Sequence, residues 1–278
     1  MKNIKLGDQI YEGVQTVRLD TAEGGTVDYA PYDETFAAGR TEGYNAGKEA
    51  GLEEGFDNGK AAGIQAEYDR FWDGYQPSLS GFYGFFFAGP GWNDNTFYPK
   101  TDLVLRNGYS AQSMFQQCGV TNIAERLEAC GVILDTSQAQ YFNNMFNSSK
   151  IVRVPAIDCT NAVSVSSIFA GAPVQTIDKL TVNENLPLNN AFTNANALTN
   201  IMFEGTIGQN TNFQWCPLSV ASMKSVIGCL KNYAGTDDAA KYKVTFTDAC
   251  WAALEADSSA PDGNTWRDYV ETTLGWLT

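Results

Sequence analysis

Histidine does not occur among the 278 residues. The commonest general base and the commonest transition-metal ligand are therefore missing, which removes most hydrolase constellations and every Cys–His zinc site. Positive charge is scarce as well: 18 Lys and Arg stand against 32 Asp and Glu, a net charge of −14. Affinity for phosphate comes largely from Lys and Arg, so neither nucleic acid nor anionic lipid is expected as a partner, and no local basic patch restores either. No apolar run reaches the roughly 18 residues of a membrane span, so no membrane insertion is expected. The start, Met1-Lys2-Asn3-Ile4-Lys5-Leu6-Gly7-Asp8, lacks the apolar segment of a signal peptide, which points to synthesis as a soluble product in the cytoplasm. No Cys-x-x-Cys pair is present. Cys118, Cys130, Cys159, Cys216, Cys229 and Cys250 are irregularly spaced and read as small buried hydrophobes in a reducing cell.

What is present is a globular composition, 44% hydrophobic and 13% aromatic, with length enough for one large domain or two smaller ones. Residues 1–30 alternate apolar and polar side chains (Ile4, Leu6, Ile10, Val14, Val17, Leu19, Val27, Tyr29), with Gly7, Gly13 and Gly24-Gly25 as punctuation. They predict two or three short strands, too few for a core of their own, so this segment is expected to dock on other proteins or on further copies of the chain.

In the next section, glycine recurs at a spacing of four: Gly39, Gly43, Gly47, Gly51, Gly55, Gly59 and Gly63. The residues between are mostly good helix formers, and Pro31 and Pro77 bound the stretch, so residues 31–76 predict one long helix. Each interior glycine costs such a helix about 1 kcal/mol relative to alanine. Close backbone approach by a second helix would offset that, so the seven glycines are read as an oligomerisation track that makes residues 31–76 a stalk of two or three chains. A flexible linker is the alternative, against which stand the strict period and the absence of a Gly-Gly pair.

Residues 77–218 repeat one phrase. It runs Met114-Phe115-Gln116-Gln117-Cys118 to Ile123; Met145-Phe146-Asn147-Ser148-Ser149 to Ile151 and Val154; Ile168-Phe169-Ala170-Gly171-Ala172 to Val174 and Ile177; Ala191-Phe192-Thr193-Asn194-Ala195 to Leu198 and Ile201; and Asn212-Phe213-Gln214-Trp215-Cys216 to Leu218. The phenylalanines are 31, 23, 23 and 21 residues apart, and Phe87-Ala88-Gly89 is a degenerate earlier copy. Periods of about 20–29 are those of leucine-rich repeats, so the expected fold is a leucine-rich-repeat solenoid of mixed α/β type, with short strands on one side and turns on the other. Each Phe fills the core, a small residue follows at a tight turn, and two aliphatics three apart enter the strand. Phe146, Phe169 and Phe192 should therefore stack in one buried column.

This phrase, Phe-x-x-Cys/Ala/Ser-x-x-Leu-x-x-Ile, resembles the BspA-type leucine-rich repeats of bacterial surface proteins. Ala66-Glu67-Tyr68-Asp69-Arg70-Phe71-Trp72-Asp73, Phe87-Ala88-Gly89-Pro90-Gly91-Trp92 and Phe97-Tyr98-Pro99-Lys100 are similar to a subgroup carried by phages and prophages of gut Firmicutes. The likeness covers about residues 66–278, and its most specific part is Tyr68-Asp69-Arg70-Phe71-Trp72-Asp73. It implies a virion adhesion or structural protein and supplies no binding residues. The uneven spacing departs from the family pattern, as does an insert from Glu125 to Asp135 in the Phe115 copy.

Residues 219–278 predict a C-terminal cap: helices over Ser219–Tyr233, Asp248–Ala256 and Thr265–Leu274, a strand at Lys243–Thr247, and Trp251, Trp266 and Trp276 as packing. Within the repeats, Asp135, Asp158 and Asp178 fall near one register. Turn capping is favoured over Ca²⁺ binding for them. The asparagines Asn183, Asn185, Asn189, Asn190, Asn194, Asn196 and Asn200 suit amide bonding in turns. No serine has a histidine partner, no glycine motif resembles a phosphate loop, and Glu204 is a lone acid. The chain is thus read as a non-enzyme without cofactor or metal. Its expected function is attachment of a phage virion, as a tail or head fibre, to a bacterial surface glycan or protein. Residues 1–30 would anchor it to other virion proteins. Arg153, Gln175, Thr176, Thr199 and Asn200, on the outer face of the strands, are the candidate binding residues, with Trp92 and Tyr98 next in order. A purely structural virion decoration protein and a host-encoded surface adhesin are the alternatives.

Overall fold

The computed structural model describes residues 87–105, 110–257 and 260–278 throughout, together with the backbone of four strands between 3 and 29 and the helical residues 62, 63 and 66. The chain divides between Tyr68 and Asp69 into two units. In the first, β1 (Asn3–Leu6) pairs antiparallel with β2 (Gln9–Glu12), and β3 (Val17–Asp20) with β4 (Thr26–Tyr29). Four strands stand where two or three were expected, because each short apolar pair of the sequence forms a strand of its own. Of the glycine track, Gly39, Gly43, Gly47, Gly51, Gly55 and Gly59 lie outside the described residues. Gly63 is helical and exposed, and a Cβ there would meet nothing within 4 Å.

In the second unit the repeated phenylalanines form a column. Phe87, Phe115, Phe146, Phe169, Phe192, Phe213 and Phe246 stack in succession with ring centroids 5.2, 5.4, 5.5, 5.6, 4.7 and 5.6 Å apart, and all are buried. The backbone explains why the register holds. Phe87, Phe115, Phe146 and Phe169 each donate their N–H to the residue just before the next Phe: Met114, Met145, Ile168 and Ala191. Phe213 does the same to Thr245. Two residues past the ring the same ladder continues, from Gly89, Gln117, Ser148 and Gly171 to Gln116, Asn147, Ala170 and Thr193. The turn needs a left-handed residue at that point, and Gly89, Gln117, Ser148, Gly171 and Asn194 all have positive φ. The next residue, Cys118, Ser149, Ala172, Ala195 or Cys216, is buried and donates its N–H back to the Phe carbonyl. Only a small side chain fits there.

Across the core from this column lie the strands. β5 (Leu103–Val104) pairs parallel with β6 (Leu134–Asp135). β7 (Arg153–Val154) and β8 (Ile157–Cys159) both pair parallel with β9 (Thr176–Val182), which pairs in turn with β10 (Asn200–Gly205). The aliphatic pairs Ile151/Val154, Val174/Ile177 and Leu198/Ile201 all point inward and are buried. The stretch read as an insert is a helix, α1 (Ile123–Cys130), stopped by Gly131 in left-handed conformation and followed by β6.

The column does not end at residue 218. β11 (Thr211–Asn212) pairs parallel with β12 (Val244–Thr245), and Phe246 stacks on Phe213. The helix expected over Ser219–Tyr233 is α2 (Val220–Gly228), with the Ser219 hydroxyl accepting from Ser222 N–H. It ends early, and Tyr233 instead joins Tyr242 and buried Trp276 in an aromatic cluster. α3 spans Asp248–Asp257, against an expected end at Ala256. Thr265–Leu274 is no single helix: α4 (Trp266–Asp268) passes into a wider π turn over Tyr269–Thr273. Trp251 and Trp266 are buried, Trp251 with its edge on Phe246.

Candidate functional site

The outer face of β7, β9 and β10 is built by strand alternation. Arg153, Thr176 and Asn200 stand opposite one another, so their side chains form a row with the roughly 4.8 Å step of neighbouring strands. Gln175 and Thr199 precede them, and the Gln175 carbonyl accepts from the N–H groups of Thr199 and Asn200. Gln175 and Asn200 are exposed, Thr176 and Thr199 half-buried. The structure thus brings these five residues onto one surface. Asn200 also donates its amide to the Thr199 hydroxyl at 3.0 Å.

Arg153 differs from its neighbours in the row. Its guanidinium makes a two-pronged contact with Asp178 at 2.8 and 3.0 Å and reaches Glu128 of α1 at 3.3 Å. The hydrogen bonds that it donates to Asp178 and the nearby carboxylates raise its pKa further above its usual value. Arg153 therefore serves first to tie α1 to the strand face, and its positive charge is already answered. Beyond it, Lys179 meets Glu204 at 2.7 Å, which raises the lysine and holds the Glu204 carboxyl below its usual range. Glu204 is therefore not the lone acid that the sequence suggests.

The sequence missed this second half of the face. Against β9, strand β10 has one residue fewer between Ile201 and Phe203 than β9 has between Ile177 and Leu180. This bulge places both Asp178 and Lys179 beside the single residue Met202, which is 58% exposed. Alternation beyond Ile201 would have found Met202 and Glu204; the rule of two residues between paired aliphatics stops short of them.

The unbroken register of β7 and β8 on β9 corrects the expected alignment of Asp135, Asp158 and Asp178. Asp158 stands opposite Thr181, not beside Asp178. Asp135 and Asp158 accept N–H bonds from Ser137 and Thr160, two residues on, as turn caps do, whereas Asp178 belongs to Arg153. Among the described residues no group of three His, Cys, Asp or Glu side chains is placed to hold a metal ion. The Asn183 amide bonds to the carbonyls of Cys159, Thr160 and Ala162 in the preceding turn. Trp92 and Tyr98, expected to be exposed aromatics, are half-buried, and Trp92 sets its ring edge-on to Phe87 at 5.1 Å.

The face has defined ends. α2 lies along β10, where Ser222 and Ser225 use their hydroxyls to accept the N–H groups of Ile201 and Phe203, each at 2.8 Å. A helix thus takes the place of the next strand and satisfies an edge that would otherwise be open. Among the described residues no helix is long and apolar enough to cross a membrane. Comparison with protein-family models, curated proteins and solved structures finds no match to this chain.

Proposed function

We propose that this chain is a non-catalytic binding protein. In this reading residues 77–218 are a leucine-rich-repeat solenoid, and the chain attaches a phage virion to a glycan or protein of a bacterial surface. The single observation that supports the binding role is the row of polar side chains at Gln175, Thr176, Thr199 and Asn200, held in fixed register on a parallel sheet above a stacked aromatic core. Amides and hydroxyls so displayed can both donate and accept, as recognition of sugar hydroxyls or peptide groups requires, and repeat proteins bind through such strand surfaces. The virion setting rests on the resemblance of residues 66–278 to phage-borne BspA-type proteins. In it residues 1–30 contact other virion proteins, and the track from Gly39 to Gly63 joins two or three chains.

One observation favours a second reading, a purely structural virion component. The charged groups of the face are answered within the chain, Arg153 by Asp178 and Lys179 by Glu204, which leaves no strong charge to capture a receptor. Adsorption of the fluorescently labelled full chain to gut Firmicutes cells distinguishes the two. Replacing Gln175, Thr176 and Asn200 together by Ala, with Arg153 kept so that Asp178 is not left unpaired, should lower adsorption roughly tenfold or more. A folded triple variant that adsorbs as well as the parent would remove the strand face as the receptor site.

A further inference from the structure

The turn after Phe213 departs from the other copies. Where Gly89, Gln117, Ser148, Gly171 and Asn194 follow their phenylalanines with positive φ, the matching residue is Trp215, and it lacks that conformation. Trp215 is half-buried. With Asn196, Pro217, Thr247, Ala249 and Ala253 it lines an open groove of about 360 Å³ between this turn and α3, within the size range of small-ligand sites.

Packing accounts for the other described tryptophans. Trp92 meets Phe87, Trp251 meets Phe246 and Arg267, and Trp266 meets Tyr269 and Lys224. Trp276 meets two tyrosines and donates its indole N–H to the Lys231 carbonyl. Trp215 has no such role: among the described residues its ring meets no other ring or cation, and its N–H meets no acceptor. The exposed Asn196 amide likewise has no hydrogen-bond partner among the described residues. Thr247 accepts the Cys250 N–H at 3.1 Å, which leaves its hydroxyl hydrogen to donate. An aromatic face, an amide and a hydroxyl thus converge on one groove with no partner for their open valences, and no charged side chain lines it.

We propose that this groove binds one neutral sugar ring. The apolar side of the ring lies on the indole of Trp215, and the sugar hydroxyls bond to Asn196, Thr247 and the indole N–H. Indole supplies a large apolar surface with a polar edge, and the amide can donate and accept at once. The lack of any lining charge excludes phosphorylated or acidic sugars, which would enter without a counter-charge. The groove uses none of the strand-face residues, so the inference rests on the attachment reading only for the biological source of the sugar.

The test uses the full chain with its tryptophan indoles labelled with nitrogen-15 and the Trp215 signal assigned by its loss in Trp215→Phe. Methyl glucoside, methyl galactoside, N-acetylglucosamine and, as an apolar control, hexanol are titrated at millimolar concentrations. At least one sugar should shift the Trp215 signal saturably while the other indoles stay still. By ligand-observed saturation transfer, Trp215→Ala should weaken that sugar roughly tenfold or more and Asn196→Ala severalfold, with unchanged circular dichroism. No saturable shift with any of the sugars, a shift with hexanol alone, or undiminished binding by folded Trp215→Ala would overturn the proposal. If the shift is seen but the parent chain adsorbs to no cells, the attachment reading falls and the sugar site stands. Loss of the shift alongside intact strand-face adsorption gives the reverse.

Discussion

Single residues report how tightly the second unit is built. Thr211 is buried in β11 opposite Val244, and its hydroxyl is the one buried side-chain polar atom among the described residues without a partner. An unmet buried hydroxyl costs about 1–3 kcal/mol. Thr211→Val keeps the shape and removes the hydroxyl, so it should leave stability unchanged or raise it by about 1 kcal/mol in chemical denaturation. A clear loss would mean that Thr211 has a partner after all. Gly205 behaves oppositely. It closes β10 with φ of +90°, and a Cβ there would sit 2.1 Å from the Val182 carbonyl oxygen. Gly205→Ala should lower the stability by well over about 1 kcal/mol, seen as a reduced melting temperature; an unchanged one would refute the close approach. Neither residue announces itself in the sequence, because Thr211 sits in an ordinary strand pattern and Gly205 in an ordinary turn. Trp215 could have been found there, by comparing the second residue after each phenylalanine.

At the scale of elements, the column is the part most legible in the sequence. Each copy from Phe115 to Phe213 carries the same Phe followed three residues later by Cys, Ser or Ala, and both positions are buried as the repeat requires. What the sequence did not convey is which element replaces a strand. α1 looks like an interruption of the repeat, and α2 completes the edge of β10 through two serine hydroxyls that no hydrophobic pattern marks. The Asp178–Arg153 pair was hidden for a different reason: Arg153 stands opposite Thr176, and its carboxylate partner is the next outward residue along β9. Stacking makes the phenylalanines energetically coupled. Phe169→Ala should cost about 3–5 kcal/mol, and a double-mutant cycle of Phe146 and Phe169, whose centroids lie 5.5 Å apart, should show coupling of about 0.5–1.5 kcal/mol beyond additivity. Strict additivity would mean that the rings share the core without supporting one another.

At the scale of the molecule, the cysteines give a readout along the second unit. Cys118, Cys159, Cys216 and Cys250 are buried, and Cys130 and Cys229 half-buried. Burial pushes the Cys118 thiol to about 11, Cys216 to about 12 and Cys159 well above its usual value. Thiolate is the reactive form, so near pH 8 a thiol reagent should label Cys130 and Cys229 first, and the four buried thiols only on unfolding. Mass spectrometry across a denaturant series should show those four appearing together if the stack unfolds as one body; early labelling of Cys159 in native protein would contradict its burial. The serine-sealed edge of β10 also bears on how such a chain can change length over generations. A unit appended beyond β10 finds no open strand to join. The spans from Phe146 to Phe169 and from Phe169 to Phe192 are each 23 residues long, with matching donors and acceptors on both sides, so a duplicated unit fits between them without disturbing its neighbours. Lineages of this protein should therefore lengthen from within, keeping α1 and α2 as fixed ends while the number of units between them varies.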